Sequence, residues 1–387
     1  MHWQHHPSYD EPSTSARSLL HDRLPPGAAT THLHTSRVMT QPRSTPAVRE
    51  TSMAPLLTVQ DLHVAFTTRD GIVKAVNGVT LTLEPGKVLA ILGESGSGKS
   101  VTLRSLVRLL PTHRTTISGT IALKGNDLYA LPEREVQNLR GSLVSMIFQE
   151  PMTALDPVYT VGEQIIEALV RHQQMSRRQA RQRTLELFEL VQIPSPQRRL
   201  ISYPHEISGG MRQRVMIAMA LACNPELLLA DEPTTALDVT VQAQILYLLR
   251  ELQARLGMAM VFVTHDLGVA AEVADEVAVM YAGRIVESGP VGQVLRHPAH
   301  PYTQGLMNAT VHRGMRGQQL IPIPGQPPDL TRLPAGCSFA PRCPSAHARC
   351  LETFPAEYRL AADHMARCFL LAPTPTGHRE GERHGIP

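Results

Sequence analysis

A glycine-rich loop that joins an apolar strand to a helix constrains this chain more than any other feature. Residues Gly93–Ser100 read Gly-Glu-Ser-Gly-Ser-Gly-Lys-Ser and follow Val88–Leu92, an apolar run that predicts a strand buried on both faces. A helical pattern runs from Lys99 to Leu110. This order of strand, loop and helix predicts a phosphate-binding loop, in which backbone N–H groups surround the phosphates of a nucleotide.

The residue types in the loop indicate specific contacts. Gly96 and Gly98 let the backbone wrap closely around a phosphate chain. Lys99 places a cation on the β- and γ-phosphates, and the Ser100 hydroxyl is a ligand for Mg²⁺. The predicted nucleotide contacts in and directly after the loop are Gly93, Glu94, Ser95, Gly96, Ser97, Gly98, Lys99, Ser100 and Val101.

Two acids at the end of a second apolar strand complete the predicted metal and catalytic site. Asp231 and Glu232 directly follow the apolar residues Leu227–Ala230. In a fold with a phosphate-binding loop, the first acid holds Mg²⁺, directly or through water. The second acid lies at the carboxyl end of the strand, where ligands bind in α/β sheets, and we predict that Glu232 orients or deprotonates the attacking water.

Two further side chains are predicted to act at this site because of their order along the chain. His265 follows the apolar strand Met260–Thr264 and is predicted to contact the γ-phosphate. Gln149 lies between the loop and a helical segment, and we predict that it senses Mg²⁺ and the attacking water. A single histidine or glutamine is usually structural or exposed, so both predictions depend on the loop and the acids.

The remaining pattern predicts a mainly parallel sheet with helices on its faces, because strands alternate with helices from Met211 onward. Leu57–Phe66 alternates and predicts an edge strand, and Val161–Val191 is predicted to be helical. Residues 1–55 and 373–387 are predicted to be disordered or flexible, since they lack apolar periodicity.

Composition limits the classes of partner. The 387 residues carry a net charge of only +3, which gives no reason to propose a nucleic acid as a partner. No apolar run reaches the roughly 20 residues that a membrane-spanning helix needs. If the protein acts at a membrane, we expect it to be peripheral and other chains to cross the bilayer.

A second motif separates the chain from most proteins with a phosphate-binding loop. Ile207-Ser208-Gly209-Gly210-Met211-Arg-Gln-Arg lies shortly before Asp231, and with the loop it resembles the ABC ATPases. The resemblance implies an α/β fold with a mainly parallel core sheet, an antiparallel β subdomain, a helical subdomain at about 150–212 and a small Cys-rich C-terminal extension. It also implies ATP hydrolysis in a head-to-tail dimer, with Ser208, Gly209, Gly210 and Met211 facing the ATP of the other subunit. Asp238 resembles the D-loop aspartate, and Phe66 the aromatic residue that stacks on adenine.

A closer resemblance is to the D-type ATPases of dipeptide and oligopeptide importers. It covers roughly residues 56–368, and it includes Gln149-Glu-Pro-Met-Thr-Ala-Leu, Met280-Tyr-Ala-Gly-Arg-Ile-Val-Glu and His300-Pro-Tyr-Thr. The domains it implies are an ATP-binding domain at 56–310 and an extension at 311–372. The implied partners are a second, related ATPase subunit, two membrane permease subunits and an extracytoplasmic substrate-binding protein, so we expect the chain at the cytoplasmic face of the cell (inner) membrane.

Two alternatives concern the work that this ATPase drives. Relatives of peptide importers carry nickel chelates or glutathione, and the subunit that hydrolyses ATP does not select the cargo. A soluble ABC ATPase that acts on ribosomes or DNA is a different class of function, but such proteins carry two ATPase domains or long coiled coils, and this chain has neither.

Four cysteines near the end of the chain follow the spacing C-x5-C-x6-C-x17-C: Cys337, Cys343, Cys350 and Cys368. The spacing alone is weak, because zinc sites and ferredoxins usually contain C-x2-C pairs. Some peptide-importer ATPases hold a [4Fe–4S] cluster with such a tail. The resemblance therefore implies an iron–sulfur cluster, with zinc as the first alternative and free thiols as the second. It also implies that the Pro-rich segment 321–330 contacts the partner ATPase.

Overall fold

The structure is a computed structural model that describes residues 54–235, 237–310 and 321–372. The segments predicted to be disordered or flexible, 1–55 and 373–387, lie outside the described residues, except for Ala54 and Pro55. The strands are β1 (Leu57–Thr68), β2 (Gly71–Leu83), β3 (Val88–Leu92), β4 (Thr115–Leu123), β5 (Asn126–Asp127), β6 (Val144–Ile147), β7 (Leu227–Asp231), β8 (Ala259–Thr264), β9 (Glu276–Tyr281), β10 (Arg284–Pro290), β11 (Tyr358–Arg359) and β12 (Met365–Ala366).

Along the chain, most of the helices connect strands of the larger sheet. They are α1 (Lys99–Ser105), α2 (Glu133–Leu139), α3 (Pro151–Ala154), α4 (Val161–Gln173), α5 (Arg177–Leu190), α6 (Pro196–Arg199), α7 (Gly209–Leu221), α8 (Val239–Leu256), α9 (Leu267–Val273), α10 (Val291–Arg296), α11 (Pro301–Asn308) and α12 (Ala348–Glu352). Within the described ranges, none of these helices combines the length and apolar character needed to cross a membrane.

The larger sheet confirms the predicted parallel core. Its strand order is β11-β12-β10-β9-β3-β8-β7-β6, and the five strands from β9 to β6 are parallel to their neighbours. Both faces of β3 are buried, which explains its unbroken apolar sequence. Val88, Ala90 and Leu92 join the core on the side of α4, α5, α7 and α8, whereas Leu89 and Ile91 join the core shared with β1, β2 and α1.

The smaller sheet is antiparallel, in the order β2-β1-β4-β5. The prediction that Leu57–Phe66 forms an edge strand is wrong, because β1 pairs with β2 on one side and with β4 on the other. Its alternating pattern reflects burial of one face of a central strand, which alternates in the same way as an edge strand.

The long helical prediction at Val161–Val191 resolves into two helices. Helix α4 ends at Gln173 and is followed by Gln174, whose backbone is left-handed (φ 53°), and α5 begins after Ser176. Ser176 and Gln179 form a capping box, in which each side chain bonds the backbone N–H of the other residue. Sequence periodicity continued across this break because both helices bury apolar residues in the same core.

The C-terminal extension adds β12 and β11 to the edge of the larger sheet next to β10. A fully buried carboxylate, Glu287 on β10, holds the junction. Its oxygens accept hydrogen bonds from the backbone N–H groups of Ala299 (2.8 Å) and His300 (2.9 Å), and one lies 2.9 Å from His364 Nε2. The extension is thereby fixed to the larger sheet by polar contacts that are shielded from water.

Removing this carboxylate is expected to destabilise the protein. Glu287→Ala leaves His364, the buried N–H of His300 and the part-buried N–H of Ala299 without this partner, and removing one partner of a buried polar pair costs about 3–5 kcal/mol. Urea unfolding followed by far-UV circular dichroism measures the loss. The control is Glu226→Ala, which removes a half-exposed pair with Lys124 and is expected to cost about 0–1 kcal/mol. Equal unfolding midpoints for the two variants would contradict the conclusion that Glu287 holds the extension to the sheet.

Candidate functional site

The phosphate-binding loop leaves β3 and enters α1, as the sequence predicts. Two of its glycines are required by close contact with other backbone. Gly93 has φ 154°, and a Cβ there would lie 2.2 Å from the carbonyl oxygen of Met280. Gly98 has φ 104°, and a Cβ there would lie 2.4 Å from the carbonyl oxygen of Ala75. Neither neighbour can rotate away as a side chain would, so only glycine is accommodated at these positions.

Lys99 is buried at the start of α1, with its amine directed along the loop. Its Nζ donates hydrogen bonds to the carbonyl oxygens of Gly93 (2.8 Å) and Glu94 (2.9 Å), and it lies 3.9 Å from Glu232 Oε1. Burial lowers the pKa of Lys99, while the nearby carboxylates of Glu232, Asp231 and Glu94 act in the opposite direction. The amine is therefore held where loop and acids meet, the position that the sequence predicts for contact with phosphates.

Two of the three residues predicted to bind Mg²⁺, Ser100 and Asp231, are in direct contact, whereas the third, Gln149, contacts Glu232. Ser100 Oγ donates a 2.7 Å hydrogen bond to Asp231 Oδ1. Asp231 is completely buried, and its other oxygen has no hydrogen-bond partner among the described residues, although Arg104 lies 3.9 Å away. Burial raises the pKa of Asp231, against the hydrogen bond from Ser100. A buried carboxylate oxygen without a donor, beside a hydroxyl, matches the oxygen ligands that Mg²⁺ prefers.

Glu232 is the point at which the predicted catalytic residues converge. Its Oε2 accepts from Gln149 Nε2 at 3.4 Å and lies 3.3 Å from His265 Nδ1, and its Oε1 faces Lys99. The side chain is 14% exposed, so water reaches it while most of it is enclosed. Gln149, Lys99 and His265 are far apart in the sequence, and the structure brings all three to this one carboxylate.

The backbone at Glu232 is strained. Its φ is 45°, in the left-handed region that a glutamate rarely occupies, and its N–H donates a 3.1 Å hydrogen bond to the carbonyl oxygen of Val263. Strain of this kind persists only where surrounding contacts hold it, and it concentrates at functional sites.

One contact to Glu232 was not predicted from the sequence. Thr235 Oγ1 donates to Glu232 Oε2 at 3.0 Å. The only sequence signal was its position three residues after the acid, in the Pro-Thr-Thr turn, where a hydroxyl can reach back to the preceding side chain.

The second motif lies at the N-terminus of α7. Among the described residues, no hydrogen bond joins this motif to the chain's own phosphate-binding loop. Ser208 is the N-cap of α7, and its hydroxyl accepts from the N–H of Met211 at 3.4 Å. Gly209 and Gly210 face Leu237 and Val241 in the segment after Glu232. Ser208 and Gly209 are exposed, so the motif is accessible to another molecule.

Two other predicted nucleotide contacts lie apart from the loop. Phe66 is half-buried on β1 and lines an open groove with Pro111 and Arg114, and no residue of the phosphate-binding loop lines it. Asp238 is the N-cap of α8, where it accepts hydrogen bonds from the N–H groups of Thr240 and Val241. Their nucleotide contacts stay predictions.

The four C-terminal cysteines come together around one small cavity. Cys337, Cys343, Cys350 and Cys368 are all free thiols and line it together with His300. Across residues 54–235, 237–310 and 321–372, no three His, Cys, Asp or Glu side chains are grouped closely enough to hold a metal ion. The thiols therefore surround a space without converging on a single point.

The loop, the acids and their placement at the carboxyl ends of parallel strands define a nucleotide-hydrolysing α/β protein with a phosphate-binding loop. Comparison with known proteins narrows this class. Residues 76–235 match the ABC transporter family, and residues 286–350 match the C-terminal region of oligopeptide/dipeptide transporters.

Individual relatives agree with these matches. The dipeptide transport ATP-binding protein DppD of Bacillus subtilis is 50% identical over 319 residues, which cover 82% of this chain and 95% of the relative. The oligopeptide transport ATP-binding protein OppD of Salmonella typhimurium is 50% identical over 314 residues, which cover 81% and 93%. Among solved structures, the dimeric ATP-binding cassette MJ0796 bound to ADP and Pi superposes with a TM-score of 0.55 at 29% identity, covering 61% of this chain and 98% of the cassette.

The chain therefore belongs to the ATP-binding proteins of the oligopeptide/dipeptide ABC transporter family, and it is an ABC ATPase. This confirms the predicted resemblance, and with it the predicted α/β fold of a parallel core sheet, an antiparallel sheet and helices.

Replacing the central carboxylate tests its role in hydrolysis. Glu232→Gln keeps the shape of the side chain but removes its basicity, so we expect turnover to fall by about 10²- to 10⁴-fold, the usual contribution of a general base. ATP binding should persist, because Lys99, Ser100 and Asp231 are unchanged. Steady-state ATP hydrolysis and nucleotide retention are the measurements. Glu226→Gln, at the opposite end of the same strand, is the control, and full hydrolysis by Glu232→Gln would exclude the role.

Proposed function

We propose that the chain hydrolyses ATP with Mg²⁺ to drive the import of dipeptides or oligopeptides through membrane permease subunits formed by other chains. The observation that carries the ATPase function is the convergence of Lys99, Gln149 and His265 on Glu232. The cargo rests on the relatives, which are named for dipeptide and oligopeptide transport.

The contacts around Glu232 support different tasks for its two oxygens. Oε2 receives donors from Gln149 and Thr235, which fix the orientation of the carboxylate. Oε1 is left to accept the proton of the attacking water. Lys99 binds the phosphates, and Ser100 and Asp231 hold Mg²⁺, which neutralises the charge that develops on the phosphates.

A head-to-tail pair of ATPase subunits completes the site. Ser208 and Gly209 are exposed, and no hydrogen bond of the described residues joins the motif to the chain's own phosphate-binding loop, as expected of a motif that acts on a second subunit. The MJ0796 cassette, which is similar to this chain, has a dimeric structure. We propose that the second subunit is a related ATPase, so that each ATP is bound by the loop of one chain and the motif of the other.

An apolar groove supports docking of a permease subunit. It has a volume of about 230 Å³ and lies between β6, α4 and α7, where its lining includes Phe148, Ala168, Met216 and Met219. Exposed apolar side chains lie nearby in the segment after Gln149, namely Met152, Val158 and Tyr159. A helix from a membrane subunit would cover this surface and place the chain at the cytoplasmic face of the membrane. An extracytoplasmic binding protein would then deliver the cargo to the permease.

Reassembly of the transporter tests the cargo. With permease subunits, the partner ATPase and the binding protein present, dipeptide-loaded binding protein is expected to stimulate ATP hydrolysis several-fold over empty binding protein, and Lys99→Ala is expected to abolish it. If hydrolysis responds to nickel chelates or glutathione and not to peptides, the proposed ATPase function stands and the proposed peptide cargo is wrong. Hydrolysis that requires no permease would favour the soluble class of ABC ATPase.

We further propose a [4Fe–4S] cluster at the cysteine cavity. Four free thiols are the donor set of such clusters, and His300, which lines the same cavity, has a buried Nε2 with no hydrogen-bond partner among the described residues. The cavity measures about 20 Å³, so a cluster would occupy space that the cysteine side chains now fill. Cys337, Cys343, Cys350 and Cys368 would hold the cluster, and a zinc ion, the alternative, would need the same thiols to converge on one point.

Burial favours the neutral form of three of the four thiols. Burial raises the pKa of Cys337 to about 11 and also raises the pKa values of Cys343 and Cys368. Binding of a metal group must therefore release protons, and loading is expected to improve as the pH rises. A cluster would serve structure or regulation, because ATP hydrolysis transfers no electrons.

Anaerobic purification tests the cluster. We expect a brown protein with about four iron and four sulfide per chain, as a [4Fe–4S] cluster requires. Cys343→Ser should lose the colour and the iron, whereas Cys223→Ser, a buried cysteine outside the cavity, should keep both. Stoichiometric zinc in place of iron would support the alternative metal. Colourless, metal-free protein whose stability is unaffected by Cys343→Ser would leave the cysteines as free thiols.

A further inference from the structure

One buried arginine links the C-terminal extension to the phosphate-binding loop. Arg342 directly precedes Cys343, and its side chain is 5% exposed. Its guanidinium forms a two-pronged ion pair with Glu94, the second residue of the loop: Nη1 lies 2.6 Å from Oε2 and Nη2 lies 3.0 Å from Oε1. The two residues are 248 positions apart in the sequence.

The arginine is itself rigidly held. Its Nε donates to the carbonyl oxygen of Pro324 at 2.8 Å, and Nη1 also lies 3.3 Å from the Tyr281 hydroxyl. The hydrogen bonds with Glu94 raise the pKa of Arg342, so the guanidinium is permanently charged. A fixed fork of this kind specifies the position of the carboxylate it binds.

Glu94 is held through each of its polar groups. Its carboxylate binds Arg342, its backbone N–H donates to the Tyr302 hydroxyl at 2.8 Å, and its carbonyl oxygen accepts from Lys99 Nζ at 2.9 Å. Arg342 therefore acts on the same residue that Lys99 touches. A displacement of Glu94 would move the start of the phosphate-binding loop and the amine of Lys99 with it.

The charges give the ion pair a second effect. Glu94 places a carboxylate in a loop that must receive the negative phosphates of ATP, and its side chain is 28% exposed. An unpaired carboxylate there would repel the phosphates, and Arg342 neutralises it from the side of the extension. Pro327, Pro328 and Leu330 also line a small cavity with Glu94–Ser97, so the Pro-rich segment contacts the loop of its own chain. The predicted contact of this segment with a partner ATPase stays a prediction.

We propose that Arg342 is a positioning residue for ATP binding, and that through it the C-terminal extension forms part of the nucleotide site. The proposal rests on ATP binding at this loop, as proposed above. It depends on neither the cargo nor the cluster.

Nucleotide affinity of the full-length chain tests the proposal, by titration with a fluorescent ATP analogue and Mg²⁺. Arg342→Met is expected to raise the dissociation constant about tenfold or more, because it exposes the phosphates to an unpaired carboxylate and releases the loop. The double variant Arg342→Met/Glu94→Gln is expected to bind several-fold more tightly than Arg342→Met, because the repelling charge is gone. The dissociation constant of Arg342→Lys should lie between those of wild type and Arg342→Met, since lysine keeps the positive charge but cannot form the two-pronged ion pair.

Arg359→Met, at an exposed arginine of the same extension, is the matched control and should bind as wild type does. In the assembled ATPase, Arg342→Met should raise KM for ATP with little change in kcat, because Glu232 and its donors are untouched. Unfolding midpoints identify any variant that has lost the fold, and Glu94→Gln with Arg342→Lys then still tests the pair.

Three results decide between the explanations. Affinity unchanged in Arg342→Met overturns the proposal, and so does equal weakening in the single and double variants, which would show that Arg342 only packs the extension. Wild-type protein that binds no ATP would instead refute the proposed function itself, which separates the two failures.

Discussion

The site depends on the register of three neighbouring parallel strands. Leu92 at the end of β3 pairs with Thr264 at the end of β8, and Asp231 at the end of β7 pairs with Val263. Because the strands are parallel and end at the same level, the phosphate-binding loop, the two acids and His265 leave the sheet at one edge. A shift of one residue in any pairing would move these side chains to different levels and separate Glu232 from its partners.

The charged side chains at that edge of the sheet differ in how deeply they are buried. Asp231 is completely enclosed, Lys99 nearly so, and Glu232 is the most accessible of the three. This gradient places the metal-binding carboxylate deepest, where competing water is excluded, and leaves the carboxylate that must meet a water molecule near the surface. The left-handed backbone of Glu232, directly after the end of β7, accompanies this difference between two consecutive acids.

The C-terminal extension contacts the ATPase core at three places. Glu287 anchors it at the sheet edge, the Pro-rich segment lies against the phosphate-binding loop, and Arg342 binds Glu94. Tyr281, Tyr302 and Phe339 pack together between these contacts, with ring centroids 4.5–5.3 Å apart. The cysteine cavity, which Phe339 lines, therefore lies one layer of aromatic side chains from residues that hold the loop.

The sequence by itself determined the parallel core, the phosphate-binding loop and the identity of the acids. These features depend on local periodicity and on motifs whose residues are adjacent in the chain, so Val88–Ser100 and Leu227–Glu232 were sufficient to predict them. Only the tertiary structure decided that β1 is central, that Thr235 supports Glu232, that four cysteines share a cavity and that Arg342 reaches Glu94. Alternation does not distinguish a central strand of a one-sided sheet from an edge strand, and no spacing rule predicts an ion pair between residues 248 positions apart, because such contacts are fixed by how the elements pack.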